Sequence, residues 1–429
     1  MLKRAAVLLK TEPEVIALSF ARMADALGNS LLIIIIPLYI AAQPSASFPL
    51  PTELLVGVAI SLYGFIFAFS QPFWGYASDR LGKRKPFILA GLLLMTGATL
   101  GFMFADRYLW ILVLRGLQGV GVAMIIPSVL VLISRVTVRR SRGNAMGVYS
   151  TFRMVGFATG PLLAGILHVK FGFNAAFMVG AAFLIVAMVL VQVTVKERPL
   201  GTDAPAEAPA EAPVGGPAGG PDHSPASPAQ DQSPGILPSA TILGLMVSTI
   251  VLACSLSMIS ALENEFNERL SQTALGFGVA FSALTVSRLF VQIPIGRLSD
   301  RIGRKGIIIG GLLALAPLTV LFGYVTSTGQ LIGLRVLQGV ATAGVAAPAF
   351  ALAGDLARKG GEGREMSFVT MGFGLGMGLG PLIAGGLAGY VGFKVPFYVV
   401  GGFALGAAAL VWRWAEESIA PGEWALDEV

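Results

Sequence analysis

Apolar residues along this 429-residue chain gather into twelve long runs, near 15–40, 54–74, 86–105, 108–134, 143–168, 173–195, 236–262, 273–295, 306–325, 329–354, 365–391 and 394–414. A helix needs roughly 20 mostly apolar residues to cross the hydrocarbon of a bilayer, and each run is of that order. The sixth run, FNAAFMVGAAFLIVAMVLVQV, has almost no polar side chain. The pattern therefore predicts an all-α membrane protein with twelve transmembrane helices.

Composition agrees. At 55% hydrophobic residues and a mean hydropathy of +0.76, the chain is too apolar to keep a largely polar surface in water. Only a handful of apolar residues separate Lys3 and Arg4 from Lys10, too few for the core of a cleaved signal, so the first span is expected to be its own targeting signal. A single cysteine, Cys254, excludes an intramolecular disulfide, and His168 and His223 stand far apart. No Cys/His metal site and no cofactor are expected.

Residues 197–235 break the pattern, being Pro, Ala and Gly with almost no large apolar side chain. Such a stretch cannot bury enough surface to offset its ordering entropy, and it reads as a flexible linker. The domains are then 1–196, a linker over 197–235, and 236–429. With the N-terminus placed inside, 21 of the thirty Lys and Arg fall on the cytoplasmic side and four on the other. That is the positive-inside bias, so the basicity is topological and nucleic acid is not an expected partner. Both termini are expected in the cytoplasm, in a plasma (inner) membrane.

The two halves repeat. Asp79 and Asp300, Arg115 and Arg335, Pro161 and Pro381 are offset by 220 or 221 residues with matching neighbours: RGLQGVG answers RVLQGVA, and GPLLAG answers GPLIAG. Six crossings per half return the chain to its starting side, which gives halves of parallel topology. The charged loop GYASDRLGKRKP between spans two and three, its copy GRLSDRIGRKG, the Arg-x-x-Gln-Gly of span four and the Gly-x-x-x-Gly-Pro of span five together resemble the major facilitator superfamily of secondary transporters. The resemblance covers both halves and omits the linker and tails. It implies two six-helix bundles around a central midplane site.

The same resemblance implies a conformational latch at Gly75, Asp79, Arg80 and Gly82, echoed by Asp300 and Arg301. There the aspartate engages a neighbouring helix end while basic residues tether loops. Ala77 departs from the usual Leu of that loop without altering its chemistry. The glycines and proline of span five, Gly156, Gly160 and Pro161, look like the motif of proton-coupled exporters and recur as Gly376, Gly380 and Pro381. Proline removes an internal hydrogen bond and glycines permit close packing, so these are hinge and packing positions. GFGLGMGLGP at 372–381 has a dinucleotide-like spacing, but no strand or βαβ unit precedes it and no G-K-[ST] follows a glycine run. Nucleotide binding is not expected.

Spans three, six, nine and twelve are poor in polar side chains and can face lipid. Spans one, four, five, eight and ten each carry an arginine, and span one also carries Asp25. A charge at the bilayer centre costs several kcal/mol, so it should face water or a partner. Arg22, Asp25 and Asn29 share one helix face. Desolvation pushes a carboxyl towards its neutral form and an adjacent arginine pulls it back, which makes Asp25 the candidate proton carrier with Arg22 tuning it. A static Arg22–Asp25 pair is the alternative. Arg115 belongs to the family's span-four pattern, which the resemblance ties to proton movement; an internal anchor on backbone carbonyls is the alternative for Arg115 and Arg335.

Candidate substrate contacts are Asn29, Arg153, Arg288 and Gln292, with Tyr149, Phe152 and Phe157 as an apolar wall shared with aromatics of span two. Glu263, Glu265 and Glu268 are expected to be solvated loop charge, or else to serve substrate or proton entry. The expected function is secondary transport by alternating access: a proton-coupled antiporter exporting amphiphilic small molecules or drugs. An exporter or flippase of organic anions or anionic lipids is the alternative. Partners are then the substrate, protons and the bilayer, with a monomer expected. Two histidines offer no Ser/His/Asp or Cys/His set, so an enzyme is not expected.

Overall fold

The computed structural model describes residues 9, 11–42, 49–137, 142–197, 239–355 and 362–417. The linker from 198 onward, Lys3, Arg4, Lys10, His223 and the side chain of Asp79 lie outside the described residues. Among the described residues, twelve helices are long and apolar enough to cross a membrane: α1 (Pro13–Ala42), α2 (Thr52–Leu81), α3 (Lys85–Gly101), α4 (Tyr108–Val136), α5 (Arg142–Phe171), α6 (Phe173–Thr194), α7, α8 (Ala274–Ile302), α9 (Arg304–Leu321), α10 (Thr328–Asp355), α11 (Glu362–Tyr390) and α12 (Val395–Trp414). The seventh crossing runs as α-helix over Ala240–Ser257, tightens to a 3-10 segment at Met258–Leu262, and continues as α-helix over Glu263–Arg269.

Sharp turns join successive helices. Gly82 (φ 65°) and Gly303 (φ 100°) separate α2 from α3 and α8 from α9, while Gly172 (φ 79°) and Gly392 (φ 133°) separate α5 from α6 and α11 from α12. L side chains rarely adopt these angles, so the repeat is kept in the turns as well as in the spans.

Packing follows the repeat. In the first half α1 lies against α5 and α6, and α4 against α2 and α3; in the second, α7 lies against α11 and α12, and α10 against α8 and α9. The halves meet chiefly through α2 against α11 and α5 against α8, pairs that exchange when the repeat is applied. At these seams backbones touch. A Cβ on Gly57 would lie 3.2 Å from the carbonyl carbon of Pro381, and one on the equivalent Gly278 would lie 3.0 Å from that of Pro161.

The hydrophobic core is distributed unevenly. On the side away from the termini, one cluster joins both halves, including Ile35, Val56, Phe177, Ile259, Phe277 and Phe397. On the terminal side the core divides into one cluster per half, built around Leu18 and Ile125 in the first and Leu252 and Leu352 in the second. Contacts between α2 and α11 run from Pro51 against Gly389 to Ala68 against Gly374. Beyond them Phe69 and Tyr76 of α2 and Phe290 of α8 are exposed. The halves are therefore joined on the far side and parted on the terminal side.

Candidate substrate cavity

Where the halves part, a cavity of about 120 Å³ lies between α1, α2, α5, α7, α8 and α11. Its wall is mostly apolar, with Ile33 and Ile60 from the first half and Leu256, Phe281, Phe373 and Met377 from the second. Two arginines enter it, Arg153 from α5 and Arg288 from α8. Each is near the middle of its helix. They are close enough to act on each other electrostatically, and Arg22 acts on Arg153 in the same way. The Arg153 guanidinium lies 5.9 Å from the centre of the Phe157 ring, which also lines the cavity.

Asp25 is not in the wall. It is 1% exposed, pairs with Arg22 one turn back on α1, and leaves its Oδ1 without a partner. Asn29 is buried with an unpartnered Oδ1, and its neighbour Ser30 reaches the cavity instead. Ser30 Oγ donates to the Gly156 carbonyl at 3.2 Å. This contact exists because glycines at 156 and 160 let α1 and α5 touch: a Cβ at Gly160 would lie 2.7 Å from the Leu27 oxygen. The second half repeats the device, with Ser257 Oγ donating to the Gly376 carbonyl at 3.3 Å.

The aromatic residues separate. Phe157 faces the cavity, Tyr149 is buried in the first half's core, and Phe152 is half-buried outside the cavity wall. Gln292 lies outside the cavity wall with a buried, unpartnered Oε1. Phe281 and Phe373 complete the aromatic lining from the second half. Sequence reasoning missed them, although Phe281 stands two turns before Arg288 on α8.

Arg115 and Arg335 are 1% exposed and hold equivalent places. Arg115 Nε donates to the Ala59 carbonyl at 3.3 Å and Nη1 to Gln118 at 3.2 Å, with Tyr63 beneath at 4.6 Å. Gln118 in turn donates to Thr99 at 3.0 Å. Arg335 donates to Gln338 at 2.8 Å and sits 4.0 Å from the Phe281 ring centre. Both guanidiniums therefore tie neighbouring helices through carbonyls, amides and rings.

At the charged loops the carboxylates on helix N-termini come from elsewhere in the chain. Glu197 accepts the backbone N–H groups of Arg84 at 2.7 Å and Lys85 at 2.8 Å, and Glu417 accepts those of Arg304 at 2.9 Å and Lys305 at 3.0 Å. Composition assigns Glu197 to the linker, but it is anchored on the first half, so the ordered bundle extends through 197. Asp300 accepts from Arg304 Nη2 at 3.3 Å, and Arg304 also pairs with Asp355 at 2.7 Å. Arg80 and Arg301 are exposed. Arg84 is 2% exposed and donates to Ser78. Its burial and nearby Arg135 push its proton affinity down, and Glu197 opposes that shift.

One expectation fails on the far side. Glu263, read as solvated loop charge, is fully buried because the α7 helix continues past it, with neither carboxylate oxygen in a hydrogen bond of ordinary geometry. Asn267, one turn further on, is the polar group that acts on it.

The pattern of the Major Facilitator Superfamily matches residues 18–241 and again 241–428. The chain belongs to that superfamily. It is a multi-pass membrane transporter and not an enzyme. It is 26% identical over 347 residues to the multi-drug resistance efflux pump PmrA of Streptococcus pneumoniae, covering 80% of this chain and 81% of the relative. It is 26% identical over 388 residues to the multidrug resistance protein MdtG of Salmonella paratyphi B, covering 90% and 91%. In fold it is similar to an inward-facing, occupied bacterial homolog of the human lysosomal transporter Spinster, with a TM-score of 0.73, 16% identity and coverage of 94% and 97%. The human organic anion transporter MFSD10 matches with a TM-score of 0.64, 20% identity and coverage of 94% and 100%.

Proposed function

We propose that this superfamily member is a proton-coupled antiporter that exports amphiphilic small molecules by alternating access. The observation that carries the reading is the cavity itself, mostly apolar with two cationic side chains, placed where two repeated halves are parted on one side and sealed on the other. The efflux roles named for PmrA and MdtG support it. With the termini in the cytoplasm, as the positive-inside bias expects, substrate loads from the inside of the plasma membrane. Residues 1–196 and 236–429 then rock against each other as a monomer, tethered by the linker.

Asp25 carries the exchanged proton behind the cavity wall, and Arg22 tunes it. Because Arg22 also acts on Arg153, loss or gain of that proton is felt in the cavity without direct contact between Asp25 and substrate. Arg115 joins the proton route, while Gly156, Gly160, Pro161 and their counterparts Gly376, Gly380 and Pro381 are the packed surfaces on which helices slide. The latch is Gly75, Asp79, Arg80 and Gly82 with its echo at Asp300 and Arg301, and the carboxylates of Glu197 and Glu417 hold the adjoining helix starts.

Proteoliposomes with an imposed pH gradient, offered a panel of amphiphiles, test this reading. Gradient-dependent movement that Asp25→Asn abolishes is the expected result. Movement indifferent to the gradient sinks antiport, and an Asp25→Asn protein that still follows the gradient removes the proton role of Asp25.

A further inference from the structure

We infer that the cavity is built for the head group of an amphiphilic anion, held between Arg153 of one half and Arg288 of the other. The inference rests on reading the cavity as the substrate site and names what that site selects. Among the described residues neither guanidinium has a carboxylate partner, and the Arg288 Nε is buried without any hydrogen-bond partner. Asp25, the acid within the first span, is already paired with Arg22. Both guanidiniums line one mostly apolar cavity, like charges there repel, and one ligand carboxylate, sulfonate or phosphate between them removes that repulsion.

The remaining polar groups point the same way. Ser30, Ser257, Ser260 and Thr285 donate to backbone carbonyls, at 3.2, 2.8, 2.5 and 3.5 Å, so their hydrogens are engaged within the protein. The guanidinium N–H groups are the donors left for a ligand. A ligand that only accepts satisfies them, and planar guanidinium forks suit an oxyanion. Phe157, Phe281 and Met377 then take the apolar body. A cationic head would meet two arginines and, among the described residues of the wall, no acid.

One arginine comes from each half, so the anion also acts as a clasp. With the site empty, the two charges oppose approach of the halves on the terminal side. An anion between them favours that approach, and closure depends on loading.

The test is equilibrium binding to the full chain in nanodiscs of zwitterionic lipid, with empty discs subtracted. The probes are 8-phenyloctanoate, 8-phenyloctanol and 8-phenyloctylammonium, which share one apolar body. The carboxylate is expected to bind best, and Arg153→Gln and Arg288→Gln each to weaken it about tenfold or more while weakening the alcohol far less. Melting temperatures close to that of the unsubstituted protein show that the variants fold. If either glutamine variant does not fold, Arg153→Lys and Arg288→Lys replace it, with a smaller loss of carboxylate affinity expected. Equal or better binding of the alcohol or ammonium probe overturns the inference, as does carboxylate affinity indifferent to both substitutions.

Competition by lysophosphatidate beyond that of the phenyl carboxylate assigns the anion to a lipid, and the reverse order to a soluble compound; either supports an anion site. No gradient enters this measurement. Arginine-dependent binding of an anion that a pH gradient does not move would therefore overturn antiport and leave the inference standing.

Discussion

Glu197 accepts the backbone N–H of Arg84 at 2.7 Å, 113 residues away in sequence. It thereby satisfies the open donors at the start of α3 from a carboxylate beyond the end of α6, and Glu417 does the same for α9 from beyond α12. Free N–H groups at a helix N-terminus favour a negative charge by about 0.3–1 kcal/mol, and loss of a capping side chain costs about 0.5–2 kcal/mol.

Glu197→Ala and Glu417→Ala should each lower stability by about 1 kcal/mol, with the glutamine variants losing less. Because the sites lie in different halves, the double variant should sum the two losses to within about 0.5 kcal/mol. Thermal unfolding in detergent checks this. A loss far beyond the sum would show that the two sites are coupled through the seam between the halves.

Gly160 has no room for a side chain, since a Cβ there would meet Ser30 Oγ and come within 3.1 Å of the Leu31 nitrogen. Gly380 is equivalent, 2.6 Å from the Cys254 oxygen. Gly160→Val and Gly380→Val should force helices apart at a cost of about 1–3 kcal/mol each. Gly147, on the same helix α5, has nothing within 4 Å. Gly147→Ala should be neutral or stabilising by up to about 1 kcal/mol through helix propensity alone. Melting temperatures of the three variants give the ranking.

Much of this architecture is legible in the chain. Run length gives the crossings, the 220-residue register gives the paired halves, and arginines at mid-span mark helices that must avoid lipid. The register also locates Gly156 against Gly376 without coordinates. What the chain hides is direction around each helix. Asp25 and Arg153 lie at similar depths, yet only Arg153 enters the cavity, because rotation about α1 is set by glycine contacts with α5 and not by polarity. Ser30 and Ser257 were hidden for the same reason. Glu197 looked like linker because the linker's composition begins there, and its function comes from a distant helix end. Glu263 looked solvated because apolar residues stop at Leu262, although the helix does not.

Arg335 lies 4.0 Å from the ring centre of Phe281 and 5.7 Å from that of Phe322, and Arg115 lies over Tyr63. Lysine keeps the charge but loses the planar fork and its stacking. Arg335→Lys should cost about 1–3 kcal/mol from lost stacking and hydrogen bonds, read as a fall in melting temperature. Arg115→Lys should lose a similar amount. If Arg115 also serves the proton route, its variant alone should change the pH profile of transport, and matching profiles in the two variants would assign both arginines to anchoring.

Glu263 stands at the far-side seal, where the adjacent Asn264 Nδ2 donates to the Pro37 carbonyl of the other half at 2.9 Å. The segment Glu263–Arg269 packs against α1 and α8, and the 3-10 segment before it packs against α2 and α11. Among the described residues neither carboxylate oxygen of Glu263 has a hydrogen-bond partner of ordinary geometry. Burying an acid with no countercharge weakens the sealed state, whereas opening the far side returns that acid to water. Glu263→Gln keeps the volume and removes the ionisable oxygen, so it should stabilise the sealed state by about 1–3 kcal/mol. The melting temperature should rise and turnover should fall, because the far side opens less often. Leu54 provides a reporter, since it packs at this seam against Gly385, and native Cys254 is buried at 2% exposure and adds little background. In a Leu54→Cys background, Glu263→Gln should slow labelling by a membrane-impermeant maleimide. Equal labelling rates with and without the glutamine would mean that the seal does not depend on this carboxyl.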